Sequence, residues 1–309
     1  MKHFEDQWKY LGNKSNYSFN CSYILGLGLP GSAFECKKCS LNRQEIGMKI
    51  VAEPQTPNTV TTNKNEPLIF PNVIAGAAHK AVEIYRRYIE APEQFIYMTF
   101  ITLLGAVLAR MVTLDTAFKV QTRLYTVLIG PTGRSRKSTV LGLIVDLFKD
   151  ILTHDFKLDI CWGVGSDVGL ARRMKKSESL VLATDEFKAL TSKSSIKSSA
   201  LLPTISTLFD RNEYSNYLKS DKDSIEITEA YLTMIAASTP ETFEEIWTSE
   251  FTNIGLNNRL FLVPGTGKKA PLPKNISAIE FNSIKKEVGK ILGVVGGGVK
   301  SVSYTHLRA

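Results

Sequence analysis

Long apolar runs are missing from this chain. The most hydrophobic stretch, FIYMTFITLLGAVLA (95–109), is uncharged, yet it falls short of the roughly 18 apolar residues that a membrane-spanning helix needs. It reads as a buried core helix, and no membrane partner is expected. The N-terminus, MKHFEDQWKYLGNK, mixes charges with aromatics and lacks the apolar core of a signal peptide. Cysteine is sparse, with four in 309 residues. Without a secretory signal, those four speak against structural disulfides and for a cytoplasmic location. No repeat recurs along the chain.

What is present is ordinary globular usage. Hydrophobic residues make up 43% of the positions and charged residues 22%, which is not the composition of a disordered chain. The length suits one large domain or two ordinary ones. A formal net charge of +8 leans towards polyanionic partners such as nucleic acid, without saying where the cations sit.

Four regions follow from the pattern. Residues 1–45 carry three of the four cysteines, and residues 46–67, rich in Pro, Thr and Asn, read as a linker. Residues 68–265 are dense and regular. The spacing of apolar positions predicts helices over 75–88 and 95–112, after which short apolar runs alternate with amphipathic stretches. LYTVLIG (124–130), SLVLATDE (179–186), AYLTMIAAST (230–239) and NRLFLVPG (258–265) are expected as buried strands, with a helix over 137–151 after the first. Apolar strands separated by helices imply an α/β fold with a mostly parallel sheet covered on both faces. In residues 266–309 a helix is expected over 279–292. The closing GVVGGGVKSVSYTHLRA shows no packing logic and is expected to lie outside the fold, as a truncated or non-native tail.

The chemistry begins with GPTGRSRKST, 130–139. A P-loop, G-x-x-x-x-G-K-[ST], turns tightly after a strand so that successive N–H groups face phosphate oxygens at the start of a helix. The expected strand and helix flank the stretch, and Gly130 and Gly133 supply permissive backbone. Lys137, Ser138 and Thr139 stand where the helix begins; Lys137 would neutralise phosphate and Ser138 would bind Mg²⁺. Two departures count against the motif: Gly130 lies seven residues before Lys137, one more than the motif allows, and Arg136 replaces the last glycine. Arginine lacks glycine's conformational range, so the turn is expected to widen or to take an ordinary backbone shape at 136. Arg136 either tolerates the turn or adds a second positive charge for phosphate; the bland reading of the whole stretch is a basic strand-to-helix loop.

Further strand ends carry matching groups. VLATDE places Asp185 and Glu186 where a Walker B strand holds one carboxylate for Mg²⁺ and one to polarise water; two solvated acids are the plain alternative. The third strand ends in Ser238-Thr239-Pro240, and Thr239 could bond the attacking water or the γ-phosphate, unless this is only a turn. Arg259 opens the fourth strand as a candidate finger for a neighbouring subunit's nucleotide, or as a surface arginine in a salt bridge. Lys188, Lys193 and Lys197 occupy a segment that could track a nucleic-acid backbone, and NEYSNYLKSDKDSIEI reads as a hairpin or a solvated loop. Upstream, Cys21, Cys36 and Cys39 read C-x14-C-x2-C. They are candidate Zn²⁺ ligands of a zinc-ribbon remnant, but a second CxxC is missing. Free buried cysteines or a truncated ribbon are the alternatives.

Together, TRLYTVLIGPTGRSRKSTVL, LVLATDEFKAL, SSALLPTISTLFDRNEY, LTMIAASTPETFEEIW and IGLNNRLFLVP resemble the P-loop ATPase or helicase-like domain, catalogued as of unknown function, of phage, plasmid and other mobile-element proteins. There it often follows a primase domain. The resemblance spans roughly 66–265 and extends to divergent loops ending in Arg-Lys-Ser/Gly-Thr. It implies a P-loop NTPase fold of the RecA or AAA+ kind, phosphate and Mg²⁺ held by Lys137 and Ser138, and Asp185 and Glu186 as the Walker B pair. Thr239 would be the sensor, Arg259 the finger, and the cysteine segment a primase-type zinc remnant. ATP is then the expected substrate, and single-stranded DNA and further copies of the chain, with a ring as one form of the assembly, are the expected partners. No convincing helical lid follows the Arg259 strand, so a truncated copy is expected. The rival reading is a nucleic-acid-binding scaffold with a degenerate, non-hydrolysing loop. A small-molecule kinase would need an acceptor pocket and a lid, and the sequence supplies neither.

Overall fold

The computed structural model describes residues 70, 73–115, 120–152, 156, 158–192, 200–216, 224–247, 249–267, 275–296 and 301–303. The chain divides into two units, Met1–Pro67 and Leu68–Ala309, and all described residues belong to the second. The linker and the zinc candidates Cys21, Cys36 and Cys39 lie outside the described residues, as do Lys193 and Lys197.

In chain order the elements are α1 (Gly76–Tyr85), α2 (Glu93–Leu108), β1 (Thr113–Asp115), β2 (Tyr125–Ile129), α3 (Lys137–Ile151), β3 (Asp159–Trp162), α4 (Asp167–Lys176) and β4 (Ser179–Thr184). Then come α5 (Phe187–Ser192), α6 (Leu201–Asp210), β5 (Tyr214–Asn216), β6 (Ile225–Ile227), β7 (Tyr231–Ser238), α7 (Pro240–Ile246) and α8 (Ser249–Asn253). A 3₁₀ turn (Leu256–Arg259), β8 (Leu260–Pro264), α9 (Ala278–Gly296) and β9 (Ser301–Ser303) complete the series.

The four expected strands form, and a fifth joins them. The main sheet is all parallel, in the order β3-β4-β7-β2-β8. Its central strands are near-continuous apolar runs because helices cover both faces. Alternation decides which side chain goes where. Leu128, Val181, Ala183, Ile235 and Val263 pack against α1, α2, α3 and α9, while Tyr125, Val127, Leu182, Met234 and Ala236 pack against the helices of the other face. The strand missing from the sequence reading, β3, is a half-buried edge of four residues whose Asp159 pairs with Arg173.

The apolar stretch at 95–109 is α2, buried along most of its length inside the first core. No helix among the described residues is long and apolar enough to cross a membrane. Thr102 of α2 donates to the Met98 carbonyl at 2.6 Å and shares a 2.8 Å hydrogen bond with Thr126 of β2, which ties the core helix to the strand that carries the loop. At the other end of β2, buried Arg123 donates to the carbonyls of Ala230 and Phe209 and to Asn212 Oδ1, at 3.1, 3.1 and 2.6 Å. One guanidinium thereby clasps the entries of β2 and β7 and the end of α6.

The expected hairpin is present as the antiparallel pair β5-β6. The expectation for the end of the chain is corrected: α9 runs on to Gly296 and β9 pairs in parallel with β1, so part of the excluded tail belongs to the fold. Ser277 and Glu280 cap the start of α9 reciprocally. The Ser277 amide donates to Glu280 Oε2 at 2.9 Å and the Glu280 amide to Ser277 Oγ at 3.3 Å, an arrangement that satisfies two otherwise orphaned donors. Glu280 also accepts from the Tyr88 hydroxyl at 2.8 Å, which docks α9 beside α1.

Candidate functional site

The stretch 130–139 leaves the sheet between two clamps. The Gly130 amide donates to the Ser238 carbonyl of β7 at 3.1 Å, and the Ile129 carbonyl accepts from the Gly265 amide beyond β8 at 2.9 Å. Only glycine fits at 130, where a β-carbon would stand 2.8 Å from Ser135 Oγ. Ser135 is fully buried and donates to the Pro131 carbonyl at 2.7 Å, closing the turn on itself. Gly133 follows the left-handed path at φ +73°.

Arg136 corrects an expectation. Its φ of 49° and ψ of 31° lie in the left-handed region, and it is the one non-glycine residue with positive φ among those described. The loop therefore keeps a glycine-like backbone at this position with an arginine on it, at a conformational cost of about 1–2 kcal/mol. α3 begins at the next residue. No side chain caps it and no acid lies in its first turn, so its free N–H groups make a positive end facing the loop.

Lys137 folds back over this loop. Its ammonium donates to the Gly130 carbonyl, to Ser135 Oγ at 3.2 Å and to the Pro131 carbonyl at 3.4 Å. Burial holds its pKa below the ordinary lysine value, with Glu241 pulling the other way. Arg136 Nε lies 3.5 Å from Glu90 Oε2.

The acids arrive from the neighbouring strands. β4 pairs with β7 so that Thr184 stands opposite Ala236, and Asp185 and Glu186 follow directly. Both are exposed, and neither enters an ion pair among the described residues. Thr184 shapes this exit: its hydroxyl accepts from the Glu186 amide at 3.3 Å and donates to the Glu186 carbonyl at 3.1 Å. At the tip of β7, Thr239 Oγ1 caps α7, accepting from the Thr242 amide at 3.2 Å and donating to Thr242 Oγ1 at 2.9 Å. Ser238 beside it is buried and donates to the Thr239 carbonyl at 3.1 Å.

One cleft of about 460 Å³ joins these groups, with Gly133, Arg136, Lys137, Ser138 and Thr139 on one side, Asp185 and Glu186 on the other, and Ser238, Thr239 and Thr242 between. Its volume suits a small-molecule ligand. Arg259 is placed elsewhere. It sits at the entry of β8, a strand's length from the cleft edge. There it donates to both carboxylate oxygens of Asp210 and to the Gly255 carbonyl. Lys188 pairs with Glu245 at 2.6 Å.

Four contributors were not singled out from the sequence. Thr242 was legible, since Thr239-Pro240 is a cap followed by proline at the first helical position. Ser135, Glu90 and Gly267 carry no local signal. Gly267 is required because a β-carbon there would collide with the Arg134 carbonyl. Among the described residues, no three His, Cys, Asp or Glu side chains gather as a metal cluster. No family model matches the chain, and no curated protein matches it significantly.

Proposed function

We propose that this chain is a P-loop NTPase that binds ATP with Mg²⁺ at the C-terminal edge of its sheet and hydrolyses it, coupled to translocation along, or unwinding of, DNA. The observation that carries the reading is the convergence of Lys137 and Ser138, on the uncapped first turn of α3, with the exposed carboxylates of Asp185 and Glu186 across one cleft, acids that enter no ion pair among the described residues. Open α/β sheets bind ligands outside the carboxyl ends of their strands, and a free helix start offers N–H groups to phosphate.

The donor set fits Mg²⁺. Ser138 and Asp185 offer a sparse all-oxygen pair, and this ion is commonly held by one or two carboxylates plus substrate phosphates while keeping several waters. Bound there, Mg²⁺ would supply charge neutralisation at the phosphate oxygens. Lys137, released from the carbonyls of Gly130 and Pro131, balances the charge of the terminal phosphates. Glu186 orients the attacking water and takes its proton as the water oxygen bonds the γ-phosphorus. The bond from that phosphorus to ADP breaks, giving ADP and phosphate. Ser238 and Thr239 set hydroxyls between loop and acids, where a water or a phosphate oxygen can be sensed. Arg259 is held on Asp210 away from this cleft, so a finger role would require both a neighbouring copy in a homo-oligomer and release from Asp210, and the present arrangement favours a structural role.

The net charge of +8 and the resemblance to mobile-element helicase-like domains support single-stranded DNA as partner. A second reading, a nucleic-acid-binding scaffold that does not hydrolyse ATP, is favoured by Arg136 in the glycine position and by the engagement of Lys137 with its own loop. ATP hydrolysis measured with and without single-stranded DNA, on the wild type and on Glu186→Gln, separates the two. DNA-stimulated turnover that vanishes in the variant supports the motor. Salt-dependent DNA binding indifferent to nucleotide supports the scaffold.

A further inference from the structure

Glu90, in the connection between α1 and α2, is a buried acid that the proposed hydrolysis does not use. Its side chain is 5% exposed, and its one ion-pair partner among the described residues is Arg136, 36% exposed at the rim of the cleft. The pair is incomplete: Glu90 Oε1 and Arg136 Nε are both buried without a hydrogen bond. A buried carboxylate needs a partner, and Arg136 supplies it from a backbone conformation that glycine would adopt more easily. What arginine adds at this position is therefore its side chain. Nε faces Glu90, while neither of the two amino nitrogens makes a hydrogen bond among the described residues. The guanidinium spans the gap between a buried anion and a cleft that also holds Lys137.

We propose that Glu90 is a positioning residue that holds the Arg136 guanidinium at the start of α3 so that its amino nitrogens bind the terminal phosphates of a nucleoside triphosphate, as a second cation beside Lys137. The assignment rests on the proposed nucleotide site. It also accounts for the missing glycine, because the loop exchanges an easy turn for an oriented planar fork suited to phosphate. The same pairing ties the loop to the α1–α2 connection, whose Glu90 carbonyl, like that of Arg134, closes around Gly267, where a β-carbon would meet both.

The test is binding of ATP–Mg²⁺, tripolyphosphate and AMP to the full chain, by calorimetry, for the wild type, Glu90→Gln, Arg136→Gly, Arg136→Lys, the Glu90→Gln/Arg136→Gly double variant and Lys137→Ala. Glu90→Gln and Arg136→Gly are each expected to weaken ATP and tripolyphosphate by about tenfold, the scale of one lost charged contact. AMP binding should stay unchanged. In the Arg136→Gly background, Glu90→Gln should add less than about twofold, since the group it positions is gone. Arg136→Lys, which keeps the charge without the fork, should behave like Arg136→Gly. Equal weakening of AMP, or a full additional loss in the double variant, assigns Glu90 a merely structural role and overturns the proposal. If Lys137→Ala weakens ATP but Glu90→Gln does not, the positioning role falls while the nucleotide site stands. A wild type that binds neither ATP nor tripolyphosphate overturns both.

Discussion

The ammonium of Lys137 rests against the carbonyl oxygen of Gly130, at the opposite end of the same loop. The lysine is turned into its own loop, and burial disfavours its charge there. A bound polyphosphate would reverse that balance, since an adjacent anion favours the charged form.

Lys137→Ala is therefore expected to lower ATP turnover by about 10²–10³-fold, the range measured for removing one preorganised charge-stabilising group. The fold should be unaffected, because the Lys137 side chain takes no part in the apolar core that holds α3 against the sheet. Turnover and melting temperature measured on the same sample check both halves. Unchanged turnover in a folded variant would remove Lys137 from the site.

Glu186→Gln should reduce turnover by about 10²–10⁴-fold, the usual contribution of a positioned base, with ATP affinity retained. Asp185→Asn should instead raise the Mg²⁺ concentration needed for half-maximal turnover. Titrating Mg²⁺ on both variants separates the two carboxylates. The same response from both would contradict the division of roles.

Arg259→Ala is expected to cost roughly 1–2 kcal/mol of stability, for the loss of a partly exposed charged hydrogen-bond set, and to leave turnover within about twofold. Chemical denaturation and a turnover assay read these out. Lost turnover that returns on mixing with Lys137→Ala subunits would place Arg259 in a neighbour's cleft.

Arg123→Lys should destabilise by about 1.5–3 kcal/mol, since an ammonium cannot reach all three acceptors of the buried fork. The loss should appear in the denaturation midpoint with ATP affinity unchanged. A variant as stable as the wild type would show that the clasp is dispensable.

Alkaline pH should unfold the chain by way of its buried phenols. Burial pushes the pKa of Tyr85 from 10.0 up to about 12 and raises that of Tyr125 further. The folded state keeps these protons while the unfolded chain loses them. The stabilisation is thus fully present below pH 10 and is lost as the pH rises through the folded values. Tyr85→Phe should flatten the fall in stability between about pH 10 and 12, read from denaturation midpoints across that range.

Particular residues explain what could be read without the structure. β2, β4, β7 and β8 were legible because strands buried on both faces are written as unbroken apolar runs. β3 was not, since a four-residue edge ending in an acid on one side and an exposed tryptophan on the other matches no strand period. Part of the tail was misjudged because Ser301–Ser303 has no pattern of its own and takes its place only through pairing with Thr113–Asp115. In the loop, Gly130, Gly133 and Lys137 were readable from local chemistry. The left-handed Arg136 was not, because arginine seldom adopts that shape alone, and its partner Glu90 comes from a distant connection. Thr239 was found, but as a sensor, when its most definite contact is the cap of α7.

The position of β7 between β2 and β4 has a mechanical meaning. Adjacent strands stand about 4.8 Å apart, so the strand of the loop and the strand of the acids are held about 10 Å apart by two ladder spacings rather than by flexible connections. A register slip of one residue would move one partner by about 3.3 Å and turn its side chains to the wrong face. The width of the cleft is thus fixed by the most deeply buried amides of the sheet. Those of β7 should exchange with solvent only on global opening, and heating should abolish the site in one step with the fold rather than erode it gradually.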